Sequence, residues 1–231
     1  MPYGVCPNQE LDSRVMSTDR YGDQPCFGEL VAIVLIGLGH VIIEVAFTLQ
    51  VAKFYNVAVS IAAVSYIVWR VRRSPNALRV WGFRTDNIGP AMRAQLPFLA
   101  VSIIGLIVFA VVTGSAGLPK TFWFTIVLYP VWGIVQQFAL QNFIANNLKS
   151  TVSSVFLLSL VAALIFAVSH YPRMELVALS LVGGFFFTLA YRKHPNLWVV
   201  GTVHGILGSM VFYIVMGQDP GAEIIKLMAG S

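Results

Sequence analysis

The chain has 231 residues, of which 57% are hydrophobic and only 11% are charged, about half the charged share of a typical soluble domain. This composition excludes an ordinary soluble protein and predicts an all-α, polytopic membrane protein. The formal net charge of +5 is carried mostly between long uncharged segments. We therefore expect the lipid bilayer, and not nucleic acid, to be the partner of the basic residues.

Seven segments with few or no charges follow a polar N-terminal tail. Most of them reach the roughly 20 residues that a bilayer-spanning helix requires. We predict a tail at 1–28, one bundle of about seven transmembrane helices at 29–218 and a short C-terminal tail at 219–231. The segments are 30–52 (interrupted by Glu44), 54–69, 94–119, 121–148, 150–172, 176–191 and 195–218, of which 54–69 and 176–191 are the shortest.

The first part of the chain carries few candidate functional groups. Cys6 and Cys26 are its cysteines, and we expect reduced thiols if the tail is cytoplasmic. In the first predicted span, His40 and Glu44 are four residues apart and share a helix face. Glu44 is the one acidic residue deep in a predicted span, which marks it as a candidate functional group. The alternative is a structural pair with His40 or a hydrogen bond to a neighbouring helix.

Residues 70–95 form the main predicted loop, which holds six arginines interleaved with Trp81, Phe83 and Ile88. Either this loop is solvated and fixes the topology, or it contains a short amphipathic helix that lies on anionic lipid. With a cytoplasmic N-terminus and alternating spans, eleven of the fifteen basic residues lie inside. The positive-inside rule thus predicts a cytoplasmic N-terminus and arginine-rich loop, and we expect a bacterial plasma membrane.

The fourth predicted span carries several amides in an uncharged helix. Gln137 and Gln141 are four residues apart and share a face, while Gln136 lies near the edge of that face and Asn142 lies beside Gln141. Pro130 precedes these residues and removes one backbone hydrogen bond. We expect it to kink the helix and to open space beside the amides.

Two later spans each contain a histidine. His170 lies at the end of the fifth span, and His204 lies in the last one, where Gly208 leaves a gap on the same face. Polar side chains in hydrocarbon are costly unless they face one another or a wet cavity. We therefore predict one buried polar site in which both histidines and Gln137 lie within about 10 Å, close enough for direct or water-bridged bonds. A single interhelical hydrogen bond is the alternative for each histidine alone.

The motifs in these spans, taken in order, resemble those of the CPBP family of intramembrane proteases, which includes type II CAAX prenyl proteases and bacteriocin-processing enzymes. That family carries Glu-Glu-x-x-x-Arg in one span, Phe-x-x-x-His in the next and His-x-x-x-Asn in a later one. The corresponding segments here are Gln136–Gln141, Phe166–His170 and His204–Gly208. The resemblance covers roughly 75–210, with its motifs within 121–210.

The resemblance implies an intramembrane endopeptidase that cleaves a membrane-associated or prenylated peptide or protein. It implies that the catalytic positions are His170, His204, Gln136, Gln137 and Gln141, and that the substrate-binding positions are Phe166, Asn142 and Gly208. To the catalytic positions we add Glu44 as a candidate substitute base, since the motif itself supplies no carboxylate.

The chain departs from the family pattern at every charged motif position. Glutamines replace both glutamates, Gln141 replaces the arginine, and Gly208 replaces the asparagine. Because a glutamine cannot accept a proton, Gln136 and Gln137 cannot act as general bases. The alternative prediction is a non-catalytic membrane scaffold that holds a peptide or lipid in the same cavity. We expect no cofactor; a zinc ion on His170 and His204, with Glu44 or His40 as a further ligand, is the metal alternative.

Overall fold

The computed structural model describes residues 26–74, 76–115 and 117–229, and all the regular elements in these ranges are helices. The prediction of an all-α polytopic protein is confirmed. A π-helical segment at Ala139–Ala145 continues α5 into α6 without a break. The helices are α1 (Phe27–Ala46), α2 (Leu49–Arg73), α3 (Ala77–Val80), α4 (Ile88–Thr113), α5 (Thr121–Phe138), α6 (Asn146–Leu148), α7 (Val155–Val168), α8 (Met174–Lys193), α9 (Leu197–Ile214) and α10 (Pro220–Ala229).

Six helical stretches in the described residues are long and apolar enough to cross a membrane. They are Phe27–Ala46, Gln50–Arg73, Ile88–Thr113, Thr121–Leu148, Met174–Lys193 and Leu197–Ile214. The two shortest predicted spans, 54–69 and 176–191, therefore lie inside full-length helices. The short helix is instead α7, whose 14 residues cover about 21 Å. It begins only after Ser154, whose side chain accepts a hydrogen bond from the Leu157 amide at the start of the helix.

The turn after α7 lies beside the middle of α1 rather than beside its end. A Cβ atom on Gly37 would lie 3.8 Å from Cβ of Ser169. Gly37 precedes Ala46, the last residue of α1, by nine residues. The start of α8, including the exposed Arg173 and Glu175, follows this turn directly.

The centre of the bundle is a close pair of helices, α5 and α9. A Cβ atom on Gly133 would lie 2.2 Å from the Gly201 carbonyl oxygen, and one on Gly205 would lie 2.5 Å from the backbone of Pro130. Glycines at these positions let the two backbones approach within contact distance. Pro130 lies inside α5 at this contact. The π-helical segment begins after this contact, at Ala139, and it includes Gln141 and Asn142.

Contacts between helix ends define two faces of the bundle. On one face, the Cys26 amide donates to Oδ1 of Asn147, and Nδ2 of Asn196 donates to the Arg84 carbonyl. We call this end, which also holds the C-terminus of α2, the arginine face. On the opposite face, Oγ1 of Thr121 donates to Oδ2 of Asp219 over 2.7 Å. These contacts agree with the assumption that successive spans run in opposite directions between the two faces. That the arginine face is cytoplasmic stays a prediction.

The arginine-rich loop is shorter than the predicted 70–95, and it is packed more closely than a solvated loop or a helix on the lipid surface would be. Since α2 continues to Arg73 and α4 begins at Ile88, the connection spans only 74–87. Trp81 is 3% exposed, its ring meets Phe138 edge-on at 5.1 Å, and its carbonyl accepts from the Tyr191 hydroxyl over 3.0 Å. The loop is therefore a folded cap on the bundle, because Trp81 is buried against the helices.

Two expectations about the chain ends differ from the structure. The segment 219–231, predicted as a short tail, contains α10, which packs on α5. Cys26 is disulfide-bonded, contrary to the expectation of a reduced thiol. Cys6 and most of the predicted 1–28 tail lie outside the described residues.

Candidate functional site

Three polar side chains form a continuous hydrogen-bonded chain between α5, the π-helical segment and α9. Nε2 of Gln141 donates to Oε1 of Gln137 over 2.9 Å, and Nε2 of Gln137 lies 2.8 Å from Nδ1 of His204. Gln141 also donates to the Thr188 hydroxyl of α8 over 3.2 Å. Gln137 and Gln141 are 0% and 1% exposed, so these bonds replace the hydration of the atoms that form them, whereas Oε1 of Gln141 is buried without a hydrogen-bond partner among the described residues.

This chain determines which nitrogen of His204 carries the proton. Because the Gln137 oxygen accepts from Gln141, the Gln137 amide nitrogen faces the imidazole and donates to Nδ1. A neutral imidazole that accepts at Nδ1 carries its hydrogen on Nε2. The ring stacks on Phe187 at 5.2 Å and meets Phe166 edge-on at 6.0 Å. His204 is thus a fixed, neutral hydrogen-bond donor through Nε2.

His170 has the opposite tautomer. Its Nδ1 lies 3.0 Å from the Phe166 carbonyl oxygen, which can only accept a hydrogen bond. The hydrogen of the neutral ring is therefore on Nδ1, and Nε2 keeps a lone pair. The ring meets Phe166 edge-on at 4.8 Å. Phe166, which is 6% exposed, therefore packs edge-on against both histidine rings.

One cavity of about 90 Å³ opens beside both histidines. This volume has room for several water molecules, since one requires roughly 10–15 Å³ measured in this way. Gln136 contributes an amide group from α5 to the wall. The cavity is lined by Gln136, His170 and His204 together with Tyr129, Trp132, Gly133, Leu176, Ser180, Gly205 and Phe212.

The structure brings together most of the predicted site residues, with two exceptions. Asn142 points to the arginine face, where its Nδ2 donates to the Trp81 carbonyl over 3.3 Å, and it does not line the cavity. Glu44 is exposed near the end of α1 and is also not part of the cavity wall. Gly208 does lie beside the site, because a Cβ atom there would be 3.8 Å from Cδ2 of His204.

The donor groups of this site do not fit the zinc alternative. Nδ1 of His204 accepts from Gln137, so its Nε2 carries a hydrogen and offers no lone pair to a metal ion, and only Nε2 of His170 keeps one. Across 26–74, 76–115 and 117–229, no group of three or more His, Cys, Asp or Glu side chains is placed to hold a metal ion.

Several residues of the site carried no usable signal in the sequence. Thr188, 0% exposed, anchors Gln141, and Ser180 lines the cavity from the same helix. A hydroxyl in a membrane helix usually bonds to its own backbone, so neither residue stood out. Tyr129 precedes Pro130 directly, and only the position of that proline beside the amides could have drawn attention to it.

The helical bundle and its buried amide–histidine site define a polytopic integral membrane protein with a water-sized polar cavity between its spans. Residues 118–210 match the family described as type II CAAX prenyl endopeptidase Rce1-like, and this range contains all three motifs. Over this range the chain is similar to the CPBP/CAAX protease family. No curated protein and no solved structure matches it.

Proposed function

We propose that the chain is a CAAX-protease-like intramembrane endopeptidase that cleaves a membrane-associated or prenylated peptide, with His170 in the role of the absent glutamate base. The similarity of residues 118–210 to type II CAAX prenyl endopeptidases supports the class of activity. The observation that carries the proposal is the pair of opposite tautomers on one cavity: Nε2 of His170 offers a lone pair, and Nε2 of His204 offers an N–H group.

These two groups are the ones that hydrolysis of a peptide bond requires. In the proposed reaction, Nε2 of His170 accepts a proton from a cavity water as the water oxygen attacks the peptide carbonyl carbon. The carbonyl oxygen becomes an oxyanion, to which Nε2–H of His204 donates. The protonated His170 then gives its proton to the leaving amine, and the carbon–nitrogen bond breaks. Gln137 positions His204, and Gln136 offers an amide to the substrate from the cavity wall.

A non-catalytic binding protein is the second candidate, and one observation favours it. Every polar side chain in the cavity wall is an uncharged group or a histidine, and the described lining includes no carboxylate. Such a site can hydrogen-bond a peptide amide or a lipid headgroup without activating water. In this interpretation, the glutamine chain keeps the neutral site folded in place of the charges that the family motif carries.

Turnover of a prenylated fluorogenic peptide in lipid nanodiscs separates the two candidates. We expect His170→Ala to reduce turnover by about 10²–10⁴-fold and His204→Ala by about 10²–10³-fold, which are typical losses for a general base and an oxyanion donor. Glu44→Gln is the matched control outside the cavity and should retain turnover within about twofold.

Two outcomes would contradict the enzyme proposal. If Glu44→Gln abolishes cleavage, His170 is not the base. If the wild-type chain binds the peptide without cleaving it and only the double variant Gln136→Glu, Gln137→Glu cleaves, the protein is a binding protein on a protease fold.

A further inference from the structure

A second concave site lies on the arginine face, away from the histidine cavity. It is a groove of about 330 Å³ between the first turns of α4 and the last turn of α8, lined by Pro90, Arg93, Ala94, Lys193 and His194. Arg93 and Lys193 are both exposed. Two cationic side chains in one groove favour the binding of an anionic ligand.

The charges of this groove are not neutralised within the described residues. The ion pairs there join Arg70 to Glu29, and Arg79 and Arg84 to Asp86, and none includes a groove residue. The Arg93 side chain extends back along α4, since a Cβ atom on Gly89 would lie 3.8 Å from its Nη2. Its guanidinium therefore lies towards the helix N-terminus, where the helix dipole adds further positive potential.

The surface that continues from the groove into the membrane is apolar. On α4, Val101 lies two turns after Arg93 and is 70% exposed. On α8, Phe186 and Val182 precede Lys193 by about two and three turns and are 43% and 51% exposed. At about 100° per residue, Phe186 and Val182 share the helix face of Lys193, and Val101 lies within about a quarter turn of Arg93. Phe98 stacks on Phe186 at 5.0 Å and closes the space between the two helices.

We propose that this groove binds an anionic phospholipid, with the phosphate between Arg93 and Lys193 and an acyl chain along the α4–α8 surface. The arrangement of cations at the bundle end and an apolar surface towards its centre matches the two parts of a phospholipid. A zwitterionic lipid is disfavoured, because its quaternary ammonium group would approach the same cations. A free phosphate ion would use the groove but leave the apolar surface without a role.

Lipid titration of the delipidated full chain in detergent, followed by native mass spectrometry, tests this site. We expect phosphatidylglycerol to bind at least tenfold more tightly than phosphatidylcholine. The double variant Arg93→Gln, Lys193→Gln should lose about 25-fold in phosphatidylglycerol affinity, or about 2 kcal/mol at about 1 kcal/mol per basic side chain. The matched control Arg72→Gln, Arg73→Gln removes the same charge from the same face and should stay within twofold.

Further measurements keep a folding defect and a simple anion site apart from the proposal. Arg93→Lys preserves the charge and should retain most of the affinity. Inorganic phosphate at millimolar concentration should not displace the lipid. The proposal is overturned if the groove variant binds phosphatidylglycerol like the wild type, if the control variant loses the same affinity, or if phosphate competes as well as the lipid does.

Discussion

Gln137 donates to Nδ1 of His204 over 2.8 Å while its own oxygen accepts from Gln141, so a neutral amide fixes the tautomer of a buried histidine. A glutamate at this position would lack a hydrogen to donate and would require a proton on Nδ1. The substitution of glutamine for the motif glutamate therefore changes what His204 offers to the cavity, from a lone pair on Nε2 to an N–H group.

The first prediction is that Gln137→Glu reverses the tautomer of His204. The new carboxylate accepts from Nδ1–H, which leaves Nε2 without a hydrogen. Nitrogen-15 NMR of labelled histidine distinguishes the two tautomers directly. Gln136→Glu serves as the control, because Gln136 lines the cavity but the bond to His204 comes from Gln137. An unchanged His204 spectrum in Gln137→Glu would refute the assignment.

A second prediction concerns the close contact between α5 and α9. Gly205→Ala places a methyl group about 2.5 Å from the Pro130 backbone, which cannot move aside as a side chain could. We expect a loss of at least the roughly 1–3 kcal/mol typical of overpacking, seen as a lower unfolding midpoint in detergent. Gly105→Ala in α4 is the control, since no other group lies within 4 Å of its added Cβ. Equal midpoints for both variants would show that the helices are not in contact.

The two glutamates of α1 provide a third prediction. The Glu29 carboxylate accepts from the Tyr66 hydroxyl and, over 3.0 Å, from Nδ2 of Asn147, and it lies 3.8 Å from Arg70. Glu29→Ala leaves these partly buried donors without their acceptor, and we expect a cost of about 1–3 kcal/mol. Glu44→Ala removes the same group from an exposed position and should change stability by less than about 0.5 kcal/mol. A calorimetric comparison of the two variants checks this difference.

The fourth prediction is a pH dependence at Asp219, where α10 begins. Partial desolvation acts to raise the pKa of this carboxyl, but hydrogen bonds from the Ala222 amide, Thr121 and Tyr213 outweigh it and hold the pKa below its usual value. Because the pKa is lower in the folded state, ionised Asp219 stabilises the packing of α10 at any pH above the ordinary carboxyl pKa. This stabilisation is lost as the pH falls through the lowered pKa. Hydrogen exchange in α10 should therefore accelerate in that acidic range, and Asp219→Ala should remove the dependence.

A fifth prediction addresses the sidedness of the arginine face. The excess of basic residues predicts that this face is cytoplasmic, whereas a disulfide at Cys26 on the same face is typical of an oxidising compartment. We expect the positive-inside rule to give the correct orientation, since the basic residues in the loops determine how the spans insert. Arg79→Cys should resist an impermeant outside reagent in intact cells, and Lys120→Cys on the opposite face should react. The reverse pattern would invert the topology.

The sequence was most informative where hydrocarbon makes polarity costly. The spans and the grouping of Gln136, Gln137, Gln141 and the two histidines followed from that single constraint. Asn142 was assigned to the same site because it adjoins Gln141, but the π-helical turn directs it to Trp81 on the arginine face. Glu44 was singled out for its depth, and it proved to lie near the end of α1.

Other features depend on contacts that no local pattern encodes. The burial of Trp81 requires Phe138 and Tyr191, which are 57 and 110 positions away in the chain. The tautomers of the histidines depend on one amide orientation and one carbonyl, neither of which is visible in a motif. Alternation and hydropathy predict which helices cross the membrane, but not which polar groups meet between them.

The depth of the turn between α7 and α8 determines how water enters the bundle. Gly37, which lies beside Ser169, is nine residues or about 14 Å from the end of α1. Because α7 is only about 21 Å long and a hydrocarbon layer is about 30 Å thick, we expect the lipid to thin above this turn. The exposed Arg173 and Glu175 follow this turn on the side opposite the arginine face, and we expect water to reach His170 from that side. If the lipid thins there, the histidine cavity is hydrated without a tunnel through the protein.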